Sequence, residues 1–299
     1  MSAPKLIVQL NGGLGNQMFQ YACARSLALR HGAELLLDDW SGFVRDVQYR
    51  RHYELGALPI QARVIKPWES WPIWLQRWRH RTGQPAAALL EEHWYGRFIH
   101  ETESVWLPKL LEVPLKRTTW ITGHWQSPRY LEDHAGQIRA ELMPPAARQP
   151  HFVAMARQIR ETESVALGVR LYEESNNPHA HARDGQLKSA DQIRAAIVRL
   201  RAASPSARFF VFCTHRSPVL KELDLPQDAI FLTHDDGYAG TVERLWLLCQ
   251  CRHHLFTNSS YYWWGAWLSA AVRGSEGQTI LAANNFYHAD GLCPEWETF

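Results

Sequence analysis

The 299-residue sequence predicts an α/β protein of two Rossmann-type domains with a cleft between them. Three observations carry this expectation. The first forty residues read as one β-α-β unit. From Ser164 onward, short apolar runs alternate with stretches of helical length. In both regions a strand ends in small residues that open a helix. Strands alternating with such helices build parallel sheets through right-handed crossovers.

The first strand is Lys5–Leu10, followed by the glycine-rich turn Asn11-Gly12-Gly13-Leu14-Gly15. Asn16 to His31 has helical periodicity, Gly32 is placed as a helix stop, and Glu34–Asp38 is the next strand. From about Tyr49 to Pro150 the chain holds many aromatics and several prolines without clean alternation. Within it, Trp71, Trp74 and Trp78 are spaced to share one helical face. Core packing is the expected role of that face. A platform for sugar rings or, with Arg77, Arg79, His80 and Arg81, a membrane-surface helix are the alternatives. The second half gives strands at Ser164–Arg170, Arg208–Cys213, Ala229–Thr233, His254–Thr257 and Thr279–Ala283. Helices are expected at Ser189–Ala203, Pro218–Leu223, Gly240–Cys251 and Ser260–Val272. The proline-rich stretch from Pro144 to Pro150 divides the chain into domains 1–150 and 151–299.

Composition narrows the functional classes. Charged residues make up 21% and hydrophobic ones 46%, as in ordinary globular proteins. A net charge of +2 gives no general case for nucleic-acid binding. Five scattered cysteines argue against a complete disulfide framework, and Cys249-x-Cys251 lacks the second ligand pair of a zinc site. The apolar run Leu6–Leu10 is too short for a signal-peptide core, and no run reaches membrane-span length. The expectation is a cytoplasmic protein, with peripheral contact on the inner face of the membrane left open.

Three stretches could carry chemistry. The junction His254-Leu255-Phe256-Thr257 into Asn258-Ser259-Ser260 puts good N-cap residues at the carboxyl end of a strand, where helix N–H groups commonly meet phosphates. A plain N-cap before a core helix is the alternative. The turn Gly12–Asn16 lets backbone approach a ligand closely, although its spacing is not that of a dinucleotide fingerprint. With Asp38 and Asp39 at the end of the second strand, it leaves nicotinamide binding open. Arg170, at the end of the strand beginning at Ser164, offers a planar charged fork suited to a diphosphate. Glu173 or Glu174 could act as a general base or bind a sugar hydroxyl.

Four stretches together resemble the inverting bacterial α-1,2-fucosyltransferases, glycosyltransferase family 11, with this chain as a divergent member. They are Gly12-Gly13-Leu14-Gly15-Asn16-Gln17-Met18-Phe19-Gln20-Tyr21-Ala22; Tyr53-Glu54-Leu55; Gly123-His124-Trp125-Gln126-Ser127; and Cys251-Arg252-His253-His254 followed by Asn258 to Trp267. The resemblance implies a GT-B-like fold and a metal-independent, cofactor-free transfer of L-fucose from GDP-fucose with inversion. It implies a nucleotide-sugar donor and, as acceptor, a glycan or lipid-linked oligosaccharide of a surface polysaccharide. The C-terminal domain would hold the donor and the N-terminal domain the acceptor. Arg170 and Glu173 are then the expected catalytic residues, Arg170 on the diphosphate. Asn258, Ser259 and Ser260 would help at the helix start, while Gly13, Gly15, Asn16 and Gln17 line the cleft.

One stretch departs from the family pattern. Where that pattern has His-x-Arg-Arg-x-Asp, this chain has Gly168-Val169-Arg170-Leu171-Tyr172-Glu173. Where it has Phe-Ser-Asp-Asp, this chain has Phe212-Cys213-Thr214-His215, so the acidic groups expected near the guanine are missing. The diphosphate grip is kept and the base reader is not. Two other functions therefore stay open: a sugar- or nucleotide-binding protein of the same fold, and a nicotinamide-dependent oxidoreductase.

Overall fold

The computed structural model describes residues 3–44, 46–47, 49–80, 89–170 and 187–299, with side chains of 76–80 excepted. The chain forms two compact units, Met1–Leu142 with His288–Gly291, and Met143–Tyr287 with Leu292–Phe299. The division expected at Pro144–Pro150 thus falls just before it. A four-residue return to the first unit is too short to leave a signal in composition.

In the first unit, β1 (Lys5–Gln9), α1 (Leu14–His31) and β2 (Glu34–Asp38) form the expected β-α-β start. Gly32 ends α1 in the left-handed region at φ 60°, donating its N–H back to the last turn. The uninterpreted middle supplies β3 (Arg63–Val64), α2 (Trp71–His80), β4 (Leu90–His93), β5 (Gly96–His100), α3 (Lys109–Glu112), β6 (Thr118–Thr122) and α4 (Ala135–Leu142). The sheet order is β3-β2-β1-β6-β5-β4, parallel except for the β4–β5 hairpin. β5 and β6 are buried along both faces, which is why they show no polar alternation.

The tryptophan helix is corrected by the structure. Among its described side chains Ile73 joins the core, packed with Ile7, Leu36, Ile65, Phe98 and Trp120. Trp71 is exposed and lies against Trp94 and Tyr95, and Trp74 against Trp40. The side chain of Trp78 lies outside the described residues.

In the second unit α5 (Pro150–Arg160) leads into β7 (Ser164–Gly168), α6 (Ala190–Ala203), β8 (Arg208–Phe212) and β9 (Ile230–Phe231). Then follow α7 (Thr241–Gln250), β10 (His253–Phe256), α8 (Ser260–Arg273), β11 (Ile280–Ala282) and β12 (Glu297–Thr298). The segment expected as a helix at Pro218–Leu223 is a 3-10 helix. All pairs of this sheet are parallel, in the order β12-β11-β10-β7-β8-β9. One face of it packs Val165, Leu167, Phe209, Val211 and Leu255 against Ile193, Ile197 and Leu200 of α6.

α1 is tied to α4 by a largely buried ion pair. Glu141 accepts from Arg25 Nη2 at 2.8 Å and Nε at 2.9 Å, and from the Tyr21 hydroxyl. Burial pushes the Glu141 carboxyl pKa up, but bonds from Arg25, Tyr21 and Gln137 outweigh this and hold it below the usual glutamate range. A carboxyl depressed by folding stabilises the protein fully above its unfolded pKa, and the contribution is lost as pH falls through the folded one. Wild type should therefore lose stability below about pH 4.3. Glu141→Gln should cost roughly 3 kcal/mol at neutral pH, because it strands Arg25, and should show less of the acid loss. Urea unfolding at pH 7 and pH 3.5 measures both.

Candidate functional site

The second sheet reverses its winding between β7 and β10. The chain runs from β7 to β8 and β9 on one side, then returns to place β10 against the other edge of β7. Such a reversal opens a crevice beyond the carboxyl ends of the two strands. The residues there are Val169-Arg170 and Thr257-Asn258-Ser259-Ser260. Thr257 holds them together: its N–H donates to Gly168 O at 3.0 Å, and its hydroxyl accepts from the Arg170 N–H at 2.7 Å. Asn258 is only 6% exposed. Ser259 is the N-cap of α8 and accepts from Tyr262 N at a long 3.5 Å, with Ser260 the first helical residue. Four expected site residues (Arg170, Asn258, Ser259 and Ser260) thus meet at one switch point. Glu173, like Leu171, Tyr172 and Glu174, lies outside the described residues.

The glycine at 168 has a structural cause. A Cβ there would lie 2.5 Å from Tyr262 Cγ, so the ring of Tyr262 occupies the space above the strand end. The Tyr262 hydroxyl donates to Phe212 O at 2.8 Å. Where the family pattern places a histidine, this chain packs a tyrosine from the helix that follows β10.

The absence of acidic groups near Cys213–His215 is also corrected. Asp235 and Asp236, just beyond β9, reach that segment. Asp235 pairs with His215 Nδ1 at 2.9 Å and accepts from Arg216 N at 2.7 Å. Asp236 binds the Arg216 guanidinium at 2.5 Å and the Thr233 hydroxyl at 2.6 Å. Adjacent strand ends bring these carboxylates in, which reading residues 212–215 alone could not reveal. Sequence reasoning also passed over Arg244, in the first turn of α7. It is 6% exposed, and Nη2 donates to Cys213 O at 2.7 Å.

The first sheet has its own switch point, between β1 and β6. Beyond β1 lies Gly12 at φ 70°, where a Cβ would come within 2.6 Å of the Asn16 amide. Gly13 is the N-cap of α1 without a side-chain cap, and Gly15 is buried in its first turn. Asn16 Oδ1 accepts from Gln126 Nε2 at 3.0 Å, joining the turn to the segment after β6. Gln17 does not line a cleft. It is fully buried, donating to Gly12 O and His52 O and accepting from Glu54 N and Leu55 N. It fastens the glycine turn to the Tyr53-Glu54-Leu55 segment.

After β6, Trp125 is fully buried at φ 54°, in the left-handed region. Glu101 steadies it, accepting from His124 N at 2.6 Å and Trp125 N at 2.9 Å. Burial lifts the Glu101 carboxyl above its ordinary pKa despite these bonds. The C-terminal histidines are structural. His253 Nδ1 accepts from Thr279 N, so Nε2 carries the proton it shares with Glu163 at 2.5 Å. Burial pushes His254 down to about 3, which keeps it neutral. Among the described residues, no group of His, Cys, Asp or Glu is placed to hold a metal ion, and no helix is long and apolar enough to cross a membrane.

Two mainly parallel sheets, each with helix-opening turns at a switch point, define an α/β protein of the GT-B-like class. The structure is similar to that of the α-1,6-fucosyltransferase NodZ co-crystallised with GDP, NodZ being from Bradyrhizobium. The TM-score is 0.53 at 17% identity, over 89% of this chain and 92% of that one. Residues 99–297, about two thirds of the chain, match the glycosyl transferase family 11 model, and the chain belongs to this family of glycosyltransferases. It is 27% identical to an alpha-1,2-colitosyltransferase of Escherichia coli, over 88% of this chain and 87% of that protein. It is 24% identical to the O-antigen biosynthesis glycosyltransferase WbnK of Escherichia coli, over 87% and 89%.

The Gly168–Tyr262 contact is testable as a pair. Gly168→Ala should destabilise by roughly 1–3 kcal/mol through overpacking. Combined with Tyr262→Ala it should cost far less than the two single changes summed. Denaturant unfolding of the double-mutant cycle gives the coupling.

Proposed function

We propose that this glycosyltransferase moves L-fucose from GDP-fucose to the 2-hydroxyl of a glycan or lipid-linked oligosaccharide, with inversion and without a metal or other cofactor. The gathering of Arg170 with Asn258, Ser259 and Ser260 at the second switch point carries this reading. An inverting transfer proceeds through an oxocarbenium-like state while negative charge grows on the departing diphosphate. A guanidinium and the N–H groups of a helix start are suited to that charge. The unit beginning at Met143 would then bind the donor, and the unit carrying Gly13, Gly15 and Asn16 the acceptor. Glu173 is assigned to proton transfer or a sugar hydroxyl. Work on the cytoplasmic face of a membrane fits a lipid-linked acceptor.

Two observations favour a second donor sugar. The relative at 27% identity is named a colitosyltransferase, and colitose is fucose without its 3-hydroxyl. The segment Gly168–Glu173 also departs from the family pattern, with Tyr262 filling the space at Gly168.

Thermal shift with GDP, UDP, dTDP, ADP and their sugars tests the donor. GDP should raise the melting temperature most, and a preference for another base would overturn the GDP assignment. GDP-fucose and GDP-colitose, compared by GDP release, decide the sugar. Release from neither, nor from any other nucleotide sugar, would support a binding protein instead. Stabilisation by NADH alone would support the oxidoreductase. Arg170→Ala should lower transfer by at least about a hundredfold with an unchanged circular dichroism spectrum. Full activity in that variant would remove Arg170 from the diphosphate.

A further inference from the structure

Arg244 is a buried cation with no buried anion beside it among the described residues. Its side chain sits in the first turn of α7 and is 6% exposed. The guanidinium has one protein acceptor, Cys213 O at 2.7 Å, and its buried Nε has none. No carboxylate among the described residues pairs with it. Among the described residues of the neighbouring segments, Asp235 is engaged with His215 and Arg216 N, Asp236 with Arg216 and Thr233, and Glu243 with Gln149. A guanidinium removed from water normally requires a counter-charge and partners for most of its five donors.

Its place in the fold indicates where the counter-charge comes from. Cys213 is the first residue beyond β8, and Val169 N donates to the preceding carbonyl, Phe212 O, at 3.0 Å. The Arg244 guanidinium therefore lies at the carboxyl edge of the sheet, beside the β7 exit that leads to Arg170. The neighbouring Phe212 carbonyl is already taken by Tyr262. One edge thus carries the Arg170 backbone held by Thr257, the start of α8 and a guanidinium with donors to spare.

We propose that Arg244 is a second phosphate-binding cation, and that the diphosphate of the donor supplies its missing counter-charge. The inference rests on the nucleotide-sugar reading above and extends it to a residue outside the motifs that suggested that reading. In the ligand-free protein no carboxylate among the described residues compensates the charge. Removing the guanidinium relieves that charge but strips Cys213 O of its donor, so the two effects offset and the ligand-free fold should change little in stability while ligand binding weakens.

The test measures melting temperature and affinity for inorganic pyrophosphate and GDP, using full-length wild type, Arg244→Met and Arg244→Lys. Wild type should bind both. Arg244→Met should bind each about tenfold or more weakly, with a ligand-free melting temperature little changed from that of wild type. Arg244→Lys keeps the charge but loses the planar fork, and should fall between them. If wild type binds and both variants bind equally well, Arg244 serves only Cys213 O and the proposal is overturned. If Arg244→Met fails to fold, the lysine variant decides, since unchanged affinity there also overturns the proposal. If wild type responds to no nucleoside diphosphate and no pyrophosphate, the nucleotide-sugar reading itself fails, and this proposal with it.

Discussion

Where two parallel strands part at a switch point, the backbone just beyond their ends loses its ladder partners in a place too enclosed for free exchange with water. Each N–H and carbonyl there must be satisfied by a side chain or remain at a cost of about 1–3 kcal/mol. In the second unit three side chains do this. Thr257 takes the Arg170 N–H, Tyr262 adds a second donor to Phe212 O beside Val169 N, and Arg244 serves Cys213 O. These bonds fix the backbone position of Arg170 and hold Arg244 against the end of β8, and the Tyr262 ring that reaches Phe212 O is what leaves room only for glycine at 168.

The first unit solves the same problem with different residues. Gln17 spends its whole amide on the glycine turn and the segment around Tyr53-Glu54-Leu55. Glu101 holds the turn after β6, and Asn16 joins Gln126. The long motifs of this chain therefore mix two kinds of residue. Some fix loops at strand ends, as Gln17 and His253 do, and others, such as Trp263 and Trp264, fill the core. A motif match alone does not separate them, whereas burial and hydrogen bonding do.

Much of the fold was legible before the structure. The opening β-α-β unit and the alternating second half were read to within a few residues, because apolar runs bounded by glycine and small polar residues report local structure directly. The middle was opaque for a physical reason: β5 and β6 are buried on both faces, and α2 buries Ile73 while leaving Trp71 exposed. Of the site, the sequence marked Arg170 and Asn258–Ser260 correctly as strand-end residues of one sheet. It could not weigh Arg244, since an arginine within a helix pattern looks the same whether it faces solvent or a buried carbonyl.

By itself, the sequence determined the fold class, the helix starts at both ends of the chain and the family resemblance, all of which depend on residues close together along the chain. Tertiary structure alone decided what stands beside what. It filled the position above Gly168 with Tyr262, brought Asp235 and Asp236 to His215 and Arg216, and buried Arg244 against Cys213. These pairings join segments from different strands, whose neighbourhood is fixed by the order of strands in the sheet. No local pattern of residues encodes that order, because a parallel ladder forms only once crossovers have returned distant strands to the same edge.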